Sequence, residues 1–387
     1  MIKVGFIAPV SQEWMGGLNY FKNLLFAISS LEKKEIEPIV FIGKKVKKDV
    51  KEMYSQYAKV IEHSMFDRNS FQWYMWKILY NKFETTYVLE QLLIKEKIDI
   101  LSHSNIVGLN ICKTINWIPD FQHIYLPEMF SKKEIRKRNN DFMNMIRKSD
   151  MIVLSSYDAL KDLNSFSCTE KNKVRVLQFV SQVNIVSENK VDQNKELLQK
   201  KYLLPDNFFY LPNQFWKHKN HMLVFEAVRE LKKKGKDIYV VCTGYLHDYR
   251  NTNYVKQIKE FISKNELENN IRLLGLVNYE DVFLLIKFSI AVINPSLFEG
   301  WSSTVEECKS MGKNMILSNL GVHKEQYPEA LFFEKNNVSS LIEVLSNDTT
   351  LMNFNCTKYQ NNIENRTKLF GENFQRIVLE VFYNNAV

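Results

Sequence analysis

The chain has 387 residues, 45% of them hydrophobic and 25% charged, with a formal net charge of +8. That length accommodates two domains with separate cores, and the composition is that of an ordered globular protein, not of a disordered tail or a fibre. No apolar run approaches the roughly 20 residues of a membrane-spanning helix, and the five cysteines (Cys112, Cys168, Cys242, Cys308, Cys356) show no paired spacing, which argues against a disulfide framework or structural metal and for a reducing, cytoplasmic setting.

Met1–Ala8 reads as a first strand, not a signal peptide. Gly16 and Gly17 follow it and open a helix over Leu18–Ser29. Glycine at such a turn lets the backbone approach a ligand with no Cβ in the way. Further strands are predicted over Pro38–Ile42, Ile98–Ser102, His123–Leu126, Met151–Leu154 and Val174–Phe179, with a helix over Thr86–Lys95. Strands alternating with helices predict a parallel sheet covered on both faces.

The positive excess lies mostly in this half, at Lys44–Lys48 and Lys132–Arg138, with the aromatic stretch Phe71–Tyr80 between them. Such material suits an interfacial helix on an anionic membrane, although Trp73 and Trp76 would serve equally as core. No recognition motif accompanies the charge, so nucleic acid is not an expected partner. Asp120 and His123, in Trp117-Ile118-Pro119-Asp120-Phe121-Gln122-His123, form a polar pair near a strand end. Such a pair can orient or deprotonate an acceptor hydroxyl. The plainer readings are a helix cap for Asp120 and a core imidazole for His123. His103 is expected in the core.

Periodicity fades over Ser181–Asn194, the candidate linker, and then restarts. Strands are predicted over Phe208–Leu211, Ile238–Thr243, Ile271–Leu274, Ile290–Ile293 and Met315–Leu317, with helices over His221–Lys233, Tyr254–Lys264, Asp281–Lys287 and Thr304–Ser310. This is a second doubly wound sheet, of the kind that binds ligands at the carboxyl ends of its strands. Lys219 falls between a strand and a helix, where a cation can offset the charge of a bound anion.

The most specific stretch is Asn294–Glu307, which joins a strand to a helix through a Gly- and Ser-rich turn. Unpaired amides of a helix's first turn make an anion site. Glu299 and Glu307, with seven residues between them, stand beside it and can grip hydroxyls. Ser303 to Glu306 fits a capping box, with Thr304 and Glu307 as an alternative cap pair. His323 follows a later strand end and is expected to pack or cap. The last segment, Asn361–Phe382, is a charged helical pattern that could cross back onto the first domain.

Taken together, Pro295–Trp301 through Glu307 resembles the E-x₇-E signature of the retaining glycosyltransferases of family 4, the group 1 enzymes with the GT-B fold. Pro9–Leu18 resembles the family's first glycine turn and Pro212–His221 its second phosphate loop, so the resemblance covers nearly the whole chain. It implies two Rossmann-like domains facing a central cleft, over 1–185 and 195–360, with 361–387 crossing back to the first. It implies that Glu299 holds hydroxyls of a donor sugar and Glu307 the ribose. The loop of Gly300, Ser302, Ser303 and Thr304 would meet the diphosphate together with Lys219, Gln214, Gly16 and Gly17, and Asp120 and His123 would lie on the acceptor side. The donor would be a nucleoside-diphosphate sugar, with no metal and no further cofactor. The acceptor would be a glycan or lipid-linked hydroxyl in surface polysaccharide assembly (O-antigen, capsule or lipopolysaccharide), at the inner face of a membrane. Two positions depart from the pattern: Gln214 stands where an arginine is usual, so Lys217 or His218 substitutes or the site is less cationic, and Pro119 stands where a histidine is usual. A catalytically inactive sugar-nucleotide-binding subunit, or another GT-B enzyme such as a sugar-nucleotide epimerase, therefore remains an alternative.

Overall fold

The computed structural model describes the chain except residues 12–14, 84, 169–172, 184–190, 249, 348–361 and 384–387, and the side chains of 15, 80–83 and 191–192. The chain divides into two compact units, one of Met1–Phe121, Lys132–Ser181 and Glu364–Val387, the other of Gln122–Ser131 and Gln182–Ile363.

The first unit is built on seven parallel strands: β1 (Ile2–Ile7), β2 (Ile36–Ile42), β3 (Lys59–Glu62), β4 (Ile100–Ser102), β5 (Lys113–Ile118), β6 (Met151–Leu154) and β7 (Val174–Val176). Their order is β3-β2-β1-β4-β5-β6-β7. Val4 pairs with Pro38 on one side and Ile100 on the other, so β1 is central. Central parallel strands are covered on both faces and read as unbroken apolar runs, as Ile39–Ile42 and Met151–Leu154 do. The helix Ile363–Tyr383 packs its apolar stripe here. Phe374 lies 5.8 Å from Phe6, Gln375 Oε1 accepts from Glu35 N, and Glu380 pairs with Arg175. At Gly371 a Cβ would stand 2.6 Å from Ala27 O, so only glycine lets this helix seat.

In this stretch the sequence reading departs from the structure at three places: one expected strand is absent and two observed strands were not expected. The run His123–Leu126 is not a strand: Gln122–Tyr125 is a short helix, and the neighbouring strand is the unpredicted β5. Lys113, Thr114 and Asn116 break the apolar signal of β5. Asn116 is nonetheless buried, because its Nδ2 donates to Ile106 O (2.8 Å) and Ser149 Oγ (3.0 Å). The half-exposed strand β3 also went unread.

The second unit has six parallel strands: β8 (Phe209–Pro212), β9 (Val240–Thr243), β10 (Ile271–Gly275), β11 (Val292–Asn294), β12 (Met315–Ser318) and β13 (Leu331–Phe333). Their order is β10-β9-β8-β11-β12-β13, so the winding reverses between β8 and β11. Helices His221–Lys233 and Tyr254–Lys264 form where predicted, because each carries a clean stripe (Leu223, Val224, Ala227, Val228, Leu231; Tyr254, Ile258, Ile262) that buries against one face of the sheet. Leu198, Phe283, Leu285 and Val305 fill the other face. The expected linker Ser181–Asn194 lies partly outside the described residues, and its last part already belongs to the helix Val191–Tyr202. Among the described residues no helix is long and apolar enough to cross a membrane.

Candidate active site

Where the winding of a parallel sheet reverses, the loops leaving the two flanking strands run in opposite directions and open a crevice at the carboxyl ends. In the second unit those are the loops after β8 and β11, which hold most of the residues singled out from sequence. The β8 loop makes a 3₁₀ turn at Lys217–Lys219 and enters the helix through Asn220, whose φ of +55° asparagine tolerates. The two loops are tied together by Leu297 N donating to His218 O at 2.8 Å and Asn213 Nδ2 to Asn294 Oδ1 at 3.2 Å.

At their junction Lys219 Nζ lies 2.6 Å from Glu299 Oε1, and the two side chains are only 14% and 10% exposed. Ser296 Oγ lies 2.7 Å from both Glu299 Oε1 and Asn294 Oδ1, its one proton shared between two acceptors. Burial by itself pushes the Glu299 carboxyl up. The Lys219 charge, supported by His323 and by the hydrogen bonds from Lys219 and Ser296, outweighs that and holds it at about 2. Glu299 is therefore a fixed carboxylate, and all its hydrogen bonds from described residues fall on Oε1.

The helix Ser303–Ser310 is capped one residue earlier than the first sequence alternative and two earlier than the second: Ser302 Oγ accepts from Val305 N at 3.4 Å. Glu306 does not reach back to a cap amide; it is buried and accepts from Gln326 Nε2 at 3.2 Å. Gln326 also clamps the Ser302 backbone, accepting from its N–H (3.1 Å) and donating to its carbonyl (2.8 Å). With Val305 N and Glu306 N satisfied within the first turn, the amides of Ser303 and Thr304 have no partner among the described residues. Free amides at a helix N-terminus are the kind of group that can bind an anion. Gly300 lies half-buried in the turn before the cap.

Glu307 points elsewhere on the same helix and is 6% exposed, with Tyr279 Oη donating to it at 3.2 Å. Among the described residues no cation offsets its burial, which pushes its carboxyl up to about 7 against the opposing hydrogen bond from Tyr279.

Gln214 uses its side-chain oxygen to accept from Tyr245 N at 2.7 Å, which holds the loop after β9 against the loop after β8. The same closeness demands Gly244, whose φ is +139° and where a Cβ would stand 2.3 Å from Asn213 O. His218 cannot supply the missing charge. Burial, helped by the Lys219 ammonium, lowers its imidazole to about 3 despite the opposing pull of Glu299. Lys217 is exposed.

The remaining predicted residues come from other elements. Gly16 and Gly17 lie in the first turn of the helix Met15–Ser29, in the first unit, and among the described residues nothing crowds a Cβ at Gly16. Asp120 is also in the first unit and accepts from Arg138 Nη2 at 3.1 Å. His123 is 1% exposed on the helix Gln122–Tyr125. His103 is buried, its ring between Tyr20 Oη (2.8 Å) and Ser102 Oγ (2.7 Å), as a core residue is. Sequence reasoning gave no role to Asn294, Ser296 or Gln326, and named Gly244 only for backbone contact with a nucleotide base. The signal that could have found them is position: each polar residue or glycine lies within a few residues of a strand's carboxyl end or a helix near one.

Residues 192–360 match the family described as Glycosyl transferases group 1. Among curated proteins none matches the chain. Among solved structures, a glycosyltransferase from Rickettsia africae ESF-5 is 18% identical over 99% of each chain, with a TM-score of 0.69. Alr3699/HepE from Anabaena, solved with UDP and glucose, is 15% identical over 98% of this chain and 99% of its own, with a TM-score of 0.72. The lipopolysaccharide outer core galactosyltransferase WaaB, in its apo form, is 14% identical over 98% of this chain and 99% of its own, with a TM-score of 0.63. At such identities the likeness establishes architecture: two parallel sheets with flanking helices. The segment 192–360, from which both halves of the buried Lys219–Glu299 pair come, is thus a group 1 glycosyltransferase domain, and the chain as a whole has the GT-B fold.

Proposed function

We propose that this glycosyltransferase moves a hexose from a nucleoside-diphosphate sugar to a hydroxyl of a glycan or lipid-linked acceptor, with retention at the anomeric carbon. The observation that carries this reading is the buried Lys219–Glu299 pair beside the unpartnered amides of Ser303 and Thr304, where the winding of the sheet reverses. In this reading Lys219 and those amides face the diphosphate and offset the charge that grows on it as the glycosidic bond breaks. Glu299 takes sugar hydroxyls on its open oxygen and Glu307 takes the ribose. The acceptor hydroxyl attacks from the face the diphosphate leaves, forming the new bond to the anomeric carbon and passing its proton to the departing phosphate. Positioning and electrostatics supply the rate. Asp120 and His123 are assigned to the acceptor side, and Gly16 and Gly17 to the diphosphate or the acceptor. HepE binds UDP and glucose, which makes a UDP-sugar the first donor to try.

A thermal-shift panel of UDP-, GDP-, ADP- and TDP-sugars tests the donor. One of them is expected to raise the melting temperature, since a ligand at 100 times its Kd adds about 2.7 kcal/mol to stability, and to release nucleoside diphosphate slowly on incubation. A shift without any release would identify an inactive binding subunit, and no shift with any of the four would remove the proposal.

The acceptor is assigned to a membrane surface on a different observation. In the helix Phe71–Phe83, Trp76 packs on the core, whereas Phe71, Tyr74, Met75 and Ile78 are 78%, 50%, 41% and 52% exposed. Spacing of three and four residues puts them on one helix face. Lys44, Lys45, Lys47, Lys48, Lys132, Lys133, Arg136 and Lys137 are exposed in the same unit. An exposed apolar helix face and exposed basic clusters in one unit suit an anionic, lipid-bearing surface at the inner face of a membrane, where lipopolysaccharide-type acceptors are extended. Vesicles containing anionic lipid are expected to sediment the protein at low salt. Failure to sediment it, or equal binding to neutral vesicles, would exclude this surface.

A further inference from the structure

His323 has a buried acceptor that no described residue uses. It lies in the helix Gly321–Gln326, just past β12, and is 0% exposed. Its Nδ1 is 2.8 Å from Ser318 O. A carbonyl oxygen only accepts, so the ring proton sits on Nδ1. Burial lowers the imidazole below its ordinary value, the Glu299 charge opposing, and the ring is neutral at neutral pH. Nε2 is then a bare lone pair, fully buried, and it meets no donor among the described residues. Buried polar atoms are rarely left so, and an unmet one points to a missing partner.

The place of the ring says what the partner is. Ser318 Oγ, 3.3 Å from Nδ1, donates to Ser296 O at 2.6 Å, and Ser296 Oγ is 2.7 Å from Glu299 Oε1. The imidazole is close enough to Glu299 and Lys219 to feel both charges. It therefore belongs to the sugar end of the donor loop, and a lone pair there asks for a hydroxyl.

Resting on the donor reading above, we propose that His323 Nε2 accepts a hydrogen bond from a hydroxyl of the donor sugar other than those held by Glu299, and so helps select which sugar the site takes. Two acceptors fixed on one scaffold read two hydroxyls and the angle between them, which is what distinguishes epimers. His323 is on this account a specificity-determining residue and takes no part in bond breaking.

The test is calorimetric, with wild type and two variants. The probes are UDP, GDP, UDP-glucose, UDP-galactose, UDP-N-acetylglucosamine and GDP-mannose, then the deoxy analogues of whichever sugar nucleotide binds best. His323→Asn keeps an N–H for Ser318 O and removes Nε2, and His323→Gln restores a polar group near Nε2. His323→Asn is expected to bind the bare nucleotide as wild type does and the sugar nucleotide about 3- to 10-fold more weakly, the worth of one hydrogen bond, with His323→Gln closer to wild type. One deoxy analogue should show the same loss with wild type and no further loss with His323→Asn. Equal weakening of nucleotide and sugar nucleotide, or deoxy penalties unchanged in the variant, would overturn the proposal. Should the variants misfold, nitrogen-15 histidine spectra of the wild type decide: the Nε2 resonance should move on adding the sugar nucleotide and not on adding the bare nucleotide, and an unmoved resonance refutes it. Wild type binding none of the sugar nucleotides would instead refute the donor reading itself.

Discussion

Glu299→Gln is expected to lower kcat/KM for sugar transfer, or for slow donor hydrolysis, by about 100-fold or more. On the proposed donor reading, the substitution removes a charge-assisted hydrogen bond to the sugar, worth about 1.5–3 kcal/mol, and frees Lys219 from the geometry that aims it. It also leaves a lysine that is 14% exposed without its counter-ion. Breaking a buried pair by removing one partner costs about 3–5 kcal/mol. The double variant Glu299→Gln/Lys219→Met should therefore be more stable than the sum of the two single losses allows. The pH dependence follows from the same pair. Glu299 is held at about 2 when folded, below its ordinary 4.5. It thus adds stability on the order of 3 kcal/mol, present in full above pH 4.5 and lost as pH falls from there to about 2. Acid titration of wild type and Glu299→Gln by circular dichroism should show this part of the slope only in wild type. Wild-type turnover in the variant would remove Glu299 from the site.

Glu307→Gln is expected to do two opposite things. Glu307 is pushed up to about 7 when folded, above its ordinary 4.5. Between those values the folded protein keeps a proton the unfolded chain has released, so stability falls as pH rises through that window. Above about 7 the penalty is constant, on the order of 3 kcal/mol. Glutamine can still accept from Tyr279 and carries no charge. The variant should melt several degrees above wild type at pH 8 and close to it at pH 4.5. Its nucleotide affinity should nonetheless drop about tenfold, through loss of a charged acceptor for the ribose. A melting gap that ignores pH would mean the charge is not the cost. Unchanged affinity would take the ribose away from Glu307. A site that holds a costly buried carboxylate without a cation is the usual trade of stability for function.

The two outcomes share one cause. Both glutamates are on one strand–turn–helix segment and both are buried, yet one is held at about 2 and the other at about 7. The difference is Lys219, which comes from a loop 80 residues earlier in the chain. Nothing in the Asn294–Glu307 sequence distinguishes the two carboxyls in this way.

The parallel sheets and most of their helices were legible, because a buried strand and an amphipathic helix write their periods into neighbouring residues. Helix His221–Lys233 was readable to its ends for that reason. Strand β5 was not, since Asn116 is buried by virtue of partners at Ile106 and Ser149 that no local window contains. The helix at His123 was mistaken for a strand because a run of four residues is too short for either period to declare itself. The cap was misplaced by one residue because serines stand at both 302 and 303, and Gln326, from beyond β12, is what clamps the first of them. His323 looked like a packing residue, since an unused lone pair is visible only once every possible donor around it has a position.

By itself, then, the sequence determined two doubly wound parallel sheets and the residue types waiting at their strand ends, all of them signals carried within a dozen neighbouring residues. Only the tertiary structure decided that β8 lies beside β11, and hence that Lys219 meets Glu299 at 2.6 Å while Glu307 meets no cation among the described residues. The reason is that strand order and the dielectric around a charge are properties of what surrounds a residue in space, and side chains far apart along the chain supply them.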